Sequence, residues 1–256
     1  MTRKFKVVIP ARYNSTRLPG KPLIPLAGRP MIAHVCDRAK EADAEQVVVA
    51  TDDQRIFDVV ANLGIDVVMT SNTHQSGTER IAEVARAYNW KSDEIVVNLQ
   101  GDEPLLQAEY IRDVAVVLID SSQAEVATLA AEITDFNEVK NSNVVKVVLD
   151  RENYALYFSR APIPWDRDGF IEDNNHASNL KGKYLRHIGL YAYTVGFLEQ
   201  YVTWQQSALE TIEALEQLRI LWYGKAIIVQ IVPEAPVGGV DTEDDAFRVE
   251  KLLLGR

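Results

Sequence analysis

Four short apolar runs alternate with stretches of helical spacing through the first half of the chain, and this alternation limits the fold more than any other feature. The runs are residues 5–9, 46–51, 65–69 and 94–99, all rich in valine. Runs this short and this apolar read as strands, those at 5–9 and 46–51 as buried ones. Met31, Ile32, Val35 and Ala39 follow Pro30 near helical spacing. Ile56, Val59, Val60 and Leu63 follow Asp52, which suits an N-cap, and stop at Gly64. Ile81, Val84 and Ala85 mark a helix over 78–88, and 108–118 reads as another. Strands alternating with helices predict an α/β fold, a mostly parallel sheet with helices on both faces. Ligands of such sheets gather at the carboxyl ends of the strands. The loops beginning at Pro10, Asp52, Thr70 and Gln100 lie there.

The second half reads differently. Residues 126–133, 143–149 and 183–193 look extended, so a β-rich insertion is expected at about 126–193 within a single domain covering 1–256. Its exposed strand edges invite a twofold interface. The polar stretch 159–183 is long enough to be a lid, an interface element or a mobile loop. Leu209, Ile212, Leu215 and Leu218 stripe one helix reaching about Trp222, followed by a strand at 226–232 and a helix at 244–254.

Lysines and arginines number 27 against 37 acids, a net charge of −10, so neither nucleic acid nor an anionic membrane is an expected partner. One cysteine, Cys36, forms no disulfide within the chain. No apolar run approaches the roughly 18 residues a membrane span needs, so no membrane insertion is expected and the cytoplasm is the expected location.

Against this acidic background, Arg12, Arg17 and Lys21 fall within ten residues of one another, beside Gly20, just after the first strand. Arginine forks onto phosphate oxygens and lysine adds a point charge. Taken alone the segment is equally a solvated loop with incidental cations; its position favours a polyphosphate site. Pro22 follows Gly20-Lys21, so this is no Walker loop, and no G-x-G-x-x-G occurs. Asp102 in Gln100-Gly101-Asp102-Glu103-Pro104 suits Mg²⁺, which takes one or two carboxylates plus substrate phosphates; a plain turn is the alternative. Asp241 in Gly238-Gly239-Val240-Asp241-Thr242 reads as a second ligand or as a helix cap. Residues 74–80 precede a helix and can read a base or bind an anion, or Thr78 can simply cap it.

The motifs R-Y-x-S-T-R-L-P-G-K-P-L, A-T-D-D, S-G-T-E-R, N-L-Q-G-D-E-P-L, F-S-R-A-P-I-P-W, R-H-I-G-L-Y-A-Y, L-E-Q-L-R and G-V-D-T occur in that order. Together they resemble the 3-deoxy-manno-octulosonate cytidylyltransferases, or CMP-Kdo synthetases, over nearly the whole chain. The resemblance implies a Rossmann-like sheet of nucleotidyltransferase type, a homodimer, and transfer of CMP from CTP to Kdo with release of pyrophosphate, for lipopolysaccharide biosynthesis. It also implies site roles. Arg12 and Lys21 would hold the CTP phosphates, supported by Ser15 and Arg17. Ser76, Gly77, Thr78, Arg80 and Gln100 would lie near the cytosine. Asp102 and Asp241 would hold Mg²⁺. Arg160, His187, Tyr191, Glu216 and Gln217 would face the sugar acid. By spacing alone, His187 and Tyr191 read rather as core, and Glu216 and Gln217 as the solvated face of an interface helix. Asn14, Glu79, Thr194 and Gln205-Gln206 depart from the usual pattern. Cytidylyl transfer to another acidic sugar, such as 8-amino-Kdo or a sialic acid, is the nearest alternative. A nucleotide-binding module without turnover is a second, against which Arg12, Lys21, Asp102 and Asp241 argue.

Overall fold

The computed structural model describes residues 4–14, 18–74, 76–167, 180 and 184–255. The first half runs β1 (Lys6–Ala11), a 3-10 turn (Lys21–Leu23), β2 (Pro25–Leu26), β3 (Arg29–Pro30), α1 (Met31–Glu41), β4 (Gln46–Thr51), α2 (Gln54–Asn62), β5 (Asp66–Met69), α3 (Gly77–Ala87), β6 (Ile95–Asn98) and α4 (Ala108–Asp120). The second half runs β7 (Val126–Glu132), α5 (Phe136–Lys140), β8 (Lys146–Leu149), β9 (Ala155–Ser159), β10 (Leu185–Thr194), α6 (Val195–Tyr201), α7 (Ala208–Glu213), α8 (Leu218–Trp222), β11 (Ile227–Val232) and α9 (Glu243–Leu253).

The main sheet has the order β11-β7-β10-β6-β1-β4-β5. The neighbours β6, β1, β4 and β5 run parallel, as do β11 and β7, while β10 is antiparallel to both β6 and β7. Val7, Ile9 and Val97 pack on one face with Ile32, Val35 and Ile111; Val8, Val48 and Val96 pack on the other with Ile81 and Val84. Apolar cover on both faces is why these strands read as unbroken apolar runs rather than alternating ones. Within 126–193, β7 and β10 belong to the main sheet, and the β8–β9 hairpin stands off its path. Most of the polar stretch expected as a lid or interface lies outside the described residues.

Several local expectations need correction. Asp53, not Asp52, caps α2, accepting from the Arg55 amide at 3.0 Å. Asp52 is drawn away because it accepts from the fully buried Arg80 at 2.7 Å, a charge that would otherwise sit unpaired in the interior. Ser76, not Thr78, caps α3, and Thr242, not Asp241, caps α9 through a capping box with Asp245. The single helix expected to reach Trp222 is broken at Ala214, which adopts a left-handed φ of 50°. Arg160 holds the break, donating from Nε to the Glu213 carbonyl at 2.7 Å and from Nη2 to that of Ala214 at 3.4 Å. The break turns Ile212 out to 79% exposure while Leu215 and Leu218 stay buried. Thr194, one of the departures from the family pattern, caps α6 through the Phe197 amide at 3.1 Å.

Candidate active site

Three separate loops meet at the carboxyl end of β1. Lys21 Nζ donates to Asp102 Oδ2 at 2.6 Å and to Asp241 Oδ1 at 3.0 Å. Burial works against the Lys21 charge, but the two carboxylates outweigh it and hold the pKa above the ordinary lysine value. The loops are tied by the Val240 amide donating to the Asp102 carbonyl at 2.9 Å. They close too tightly for any side chain but glycine's. A Cβ on Gly239 would lie 2.7 Å from the Asp102 carbonyl oxygen, and one on Gly101 would lie 2.8 Å from that of Pro10. Lys21 itself follows Gly20, whose φ of 71° turns the chain and whose amide donates to the Tyr13 carbonyl at 2.9 Å. Ser15 and Arg17 lie outside the described residues.

Glu103 belongs beside this cluster and was read from sequence only as part of a turn. Burial, reinforced by the charges of Asp102 and Asp241, pushes its carboxyl up to about 8. Its Oε2 is buried without a hydrogen-bond partner. Only its place next to Asp102 in the Gly-Asp-Glu-Pro run could have flagged it.

The N-terminus of α3 forms the second wall. Ser76 Oγ accepts from the Glu79 amide at 3.2 Å. The preceding first-turn amides, of Gly77 and Thr78, have no acceptor within the helix and suit a base edge or an anion. A Cβ on Gly77 would stand 3.6 Å from the Pro10 ring, which fixes the helix end against β1. Arg12 Nη2 donates to the His74 carbonyl at 3.0 Å, joining the first loop to this one. Arg80 lies beneath, its guanidinium bonded to Asp52 and Thr70. Gln100 is exposed at the same sheet edge. Asn98, not singled out from sequence, ends β6 and is 4% exposed, and its Oδ1 is buried without a partner.

The third wall is aromatic and polar. His187 and Tyr191 stay on one face of β10 because the irregularity between Ile188 and Tyr191 inserts two residues, which preserves the alternation. Tyr191 OH lies 2.9 Å from His187 Nε2, and Thr128 Oγ1 lies 3.1 Å from the same nitrogen. Thr128 Oγ1 also lies within 3.0 Å of the Ile188 and Leu190 carbonyls, so it pins the irregularity. The His187 ring keeps an edge contact with Phe158 at 5.0 Å, and burial pushes its pKa down to about 3, leaving it neutral. Burial first, then the Tyr193 and Glu216 charges, raise the Tyr191 phenol. Gln217 is 7% exposed, and its Nε2 is buried without a partner. Such an atom costs about 1–3 kcal/mol unless a ligand or water meets it. Arg160 stands apart from this group, its side chain donating to the Ser142, Glu213 and Ala214 carbonyls.

The arrangement therefore offers charged groups for a polyphosphate, a helix N-terminus beside them, and a neutral hydrogen-bonding wall for a hydroxylated acceptor. The family model described as Cytidylyltransferase matches residues 6–227. The 3-deoxy-manno-octulosonate cytidylyltransferase of Tolumonas auensis is 54% identical over 249 residues, covering 97% of this chain and 96% of its own. That of Vibrio vulnificus is 54% identical over 252 residues, covering 98% and 99%. A solved structure of CMP:2-keto-3-deoxy-manno-octonic acid synthetase complexed with CTP superposes with a TM-score of 0.88 at 40% identity, covering 98% of this chain and 99% of that one. By its residues, its fold and these likenesses, the chain belongs to the cytidylyltransferase family, among the 3-deoxy-manno-octulosonate cytidylyltransferases.

Proposed function

We propose that this chain transfers the cytidylyl group of CTP to the anomeric hydroxyl of Kdo, giving CMP-Kdo and pyrophosphate for lipopolysaccharide biosynthesis. The convergence of Lys21, Asp102 and Asp241 from three loops at one sheet edge carries the reading. The anomeric oxygen attacks the α-phosphorus in line, the bond to the β-phosphate oxygen breaks, and pyrophosphate leaves. Little covalent work falls to the protein, so rate comes from positioning and from charge.

Arg12 and Lys21 hold the triphosphate and stabilise the leaving pyrophosphate. The N-terminal turn of α3, with Ser76, Gly77 and Thr78, receives the nucleoside. Arg80 supports that turn from the interior, and Gln100 flanks it. His187, Tyr191, Glu216 and Gln217 orient the sugar acid through its hydroxyls, with Arg160 fixing the loop that carries the last two.

Asp102 and Asp241 are the residues that would hold Mg²⁺. Their oxygens already converge on one positive centre, the Lys21 ammonium, and two carboxylates with phosphates and water make up the shell this ion prefers. When bound, the ion neutralises phosphate charge as a Lewis acid.

A homodimer is part of the same proposal. Leu156 on β9, Ile212 on α7 and Trp222 on α8 are 61%, 79% and 56% exposed, an apolar cost that a second copy would relieve. Sedimentation should give about twice 28.7 kDa, and a fully active monomer at high micromolar concentration would refute it. A nucleoside triphosphate donor fits an enzyme of the cytoplasm.

The direct test is pyrophosphate release with CTP and a panel of sugar acids. Kdo should give the highest kcat/KM. Faster turnover with 8-amino-Kdo or a sialic acid would reassign the acceptor, and no turnover with any would leave a binding module.

A further inference from the structure

Glu216 is held by a buried chain of side chains that the chemistry above does not use. Glu210 and Arg219 are 7% and 5% exposed and face each other as a fork, with Arg219 Nε donating to Glu210 Oε2 at 2.7 Å and Nη2 to Oε1. Glu210 is itself fixed by the capping box of α7, accepting from the Ser207 amide at 3.3 Å. The fork therefore ties the start of α7 to α8 across the break at Ala214. The Arg219 guanidinium lies 4.6 Å from the ring centroid of Tyr201 on α6. That ring is 1% exposed and walled by Phe197 and Trp204, with centroids at 5.8 and 5.7 Å. Its hydroxyl donates to Glu216 Oε1 at 2.9 Å. Burial, with the Glu216 charge, pushes the phenol well above its ordinary range, so it is a donor at any working pH.

We infer that Tyr201 is a positioning residue for the sugar acid: its hydroxyl engages one Glu216 oxygen and turns the other toward the acceptor's hydroxyls, with Glu210 and Arg219 locking the ring in place. A carboxylate accepts on both oxygens, so the bond to Tyr201 fixes direction without exhausting capacity. Gln217 beside it, with a buried unpartnered Nε2, supplies the complementary donor. A loop residue after a helix break has little else to fix its rotamer, and a site that reads hydroxyls needs its acceptors held to a fraction of an ångström. The inference rests on the reading of Glu216 as a sugar-acid ligand.

A double-mutant cycle on pyrophosphate release, with saturating CTP and varied Kdo, tests both layers. Glu216→Gln should raise the Kdo KM about tenfold and Tyr201→Phe about fivefold, with the CTP KM within about twofold in each. The double variant should be no worse than Glu216→Gln alone, because Tyr201 acts only through that carboxylate. Tyr201→Phe keeps the ring, so its Tm should match that of the wild type. A wild-type Kdo KM in Tyr201→Phe, or effects that multiply in the double variant, would overturn the positioning role. A wild-type Kdo KM in Glu216→Gln would instead overturn the assignment of Glu216 itself.

Discussion

The two ends of the proposed site are built in opposite ways. At the proposed phosphate end, Lys21, Asp102 and Asp241 keep side-chain exposures of 13%, 31% and 48%, and the ammonium is paired with both carboxylates. At the proposed sugar-acid end, His187 is held neutral, Tyr191 is buried, and Gln217 hides an amide nitrogen with no partner. Phosphate can be gripped by charge in a half-wet cleft, since both partners carry full charges whatever the exact geometry. Hydroxyls offer only dipoles, which discriminate when water is kept out and unmet donors are costly. Variants at the first end should therefore cost turnover and nucleotide affinity, and variants at the second should cost acceptor affinity alone.

The largest expected effect is at the carboxylates. Asp102→Asn and Asp241→Asn should each lower turnover at least about a hundredfold, or ~2.7 kcal/mol of barrier, at limiting Mg²⁺. Near-normal rates in both would erase the contrast between the ends. Lys21→Ala should weaken CTP roughly thirtyfold, about 2 kcal/mol, and Kdo far less; isothermal titration showing equal losses would make Lys21 structural. Gly239→Ala forces a Cβ to within 2.7 Å of the Asp102 carbonyl oxygen and should lower kcat about tenfold by misplacing the carboxylate. An unchanged kcat would show that the two loops can part freely.

At the other end, His187→Ala and Gln217→Ala should raise the Kdo KM severalfold, with CTP affinity within about threefold, or ~0.7 kcal/mol. Early melting with normal Kdo kinetics would reassign both residues to packing. A separate effect is on stability against pH. His187 titrates at about 3 when folded and near 6.5 when unfolded, so below pH 6.5 the unfolded chain binds a proton that the folded one refuses. Stability should then fall as pH drops from about 6.5 towards 3. His187→Gln should flatten that limb of a Tm-against-pH curve, and an unchanged slope would mean that the ring is protonated in the fold.

The parallel half of the molecule was legible in the sequence because its signals are local. A strand covered on both faces must be apolar throughout, and a helix against it must repeat its apolar residues every three or four positions. The strands at 5–9 and 46–51 and the helices after Pro30 and Asp52 follow from that alone, and so does the edge where Pro10, Thr70 and Gln100 emerge. The motifs then identified a family, since their order along the chain needs no coordinates.

What tertiary structure decided was every choice between two partners. Asp52 and Asp53 are equivalent caps in sequence; only the burial of Arg80 takes Asp52 away. No glycine marks the break at Ala214, which exists because Arg160, more than fifty positions earlier, holds the Glu213 and Ala214 carbonyls. Glu103 looks like a turn residue until burial and two neighbouring carboxylates raise its pKa. Lys21, Asp102 and Asp241 span 220 positions and meet within 3.0 Å. Local pattern fixes which elements form, because periodicity and capping act over a few residues. Which side chains share a proton, a charge or a cleft depends on long-range approach and on the exclusion of water, and these exist only in the folded chain.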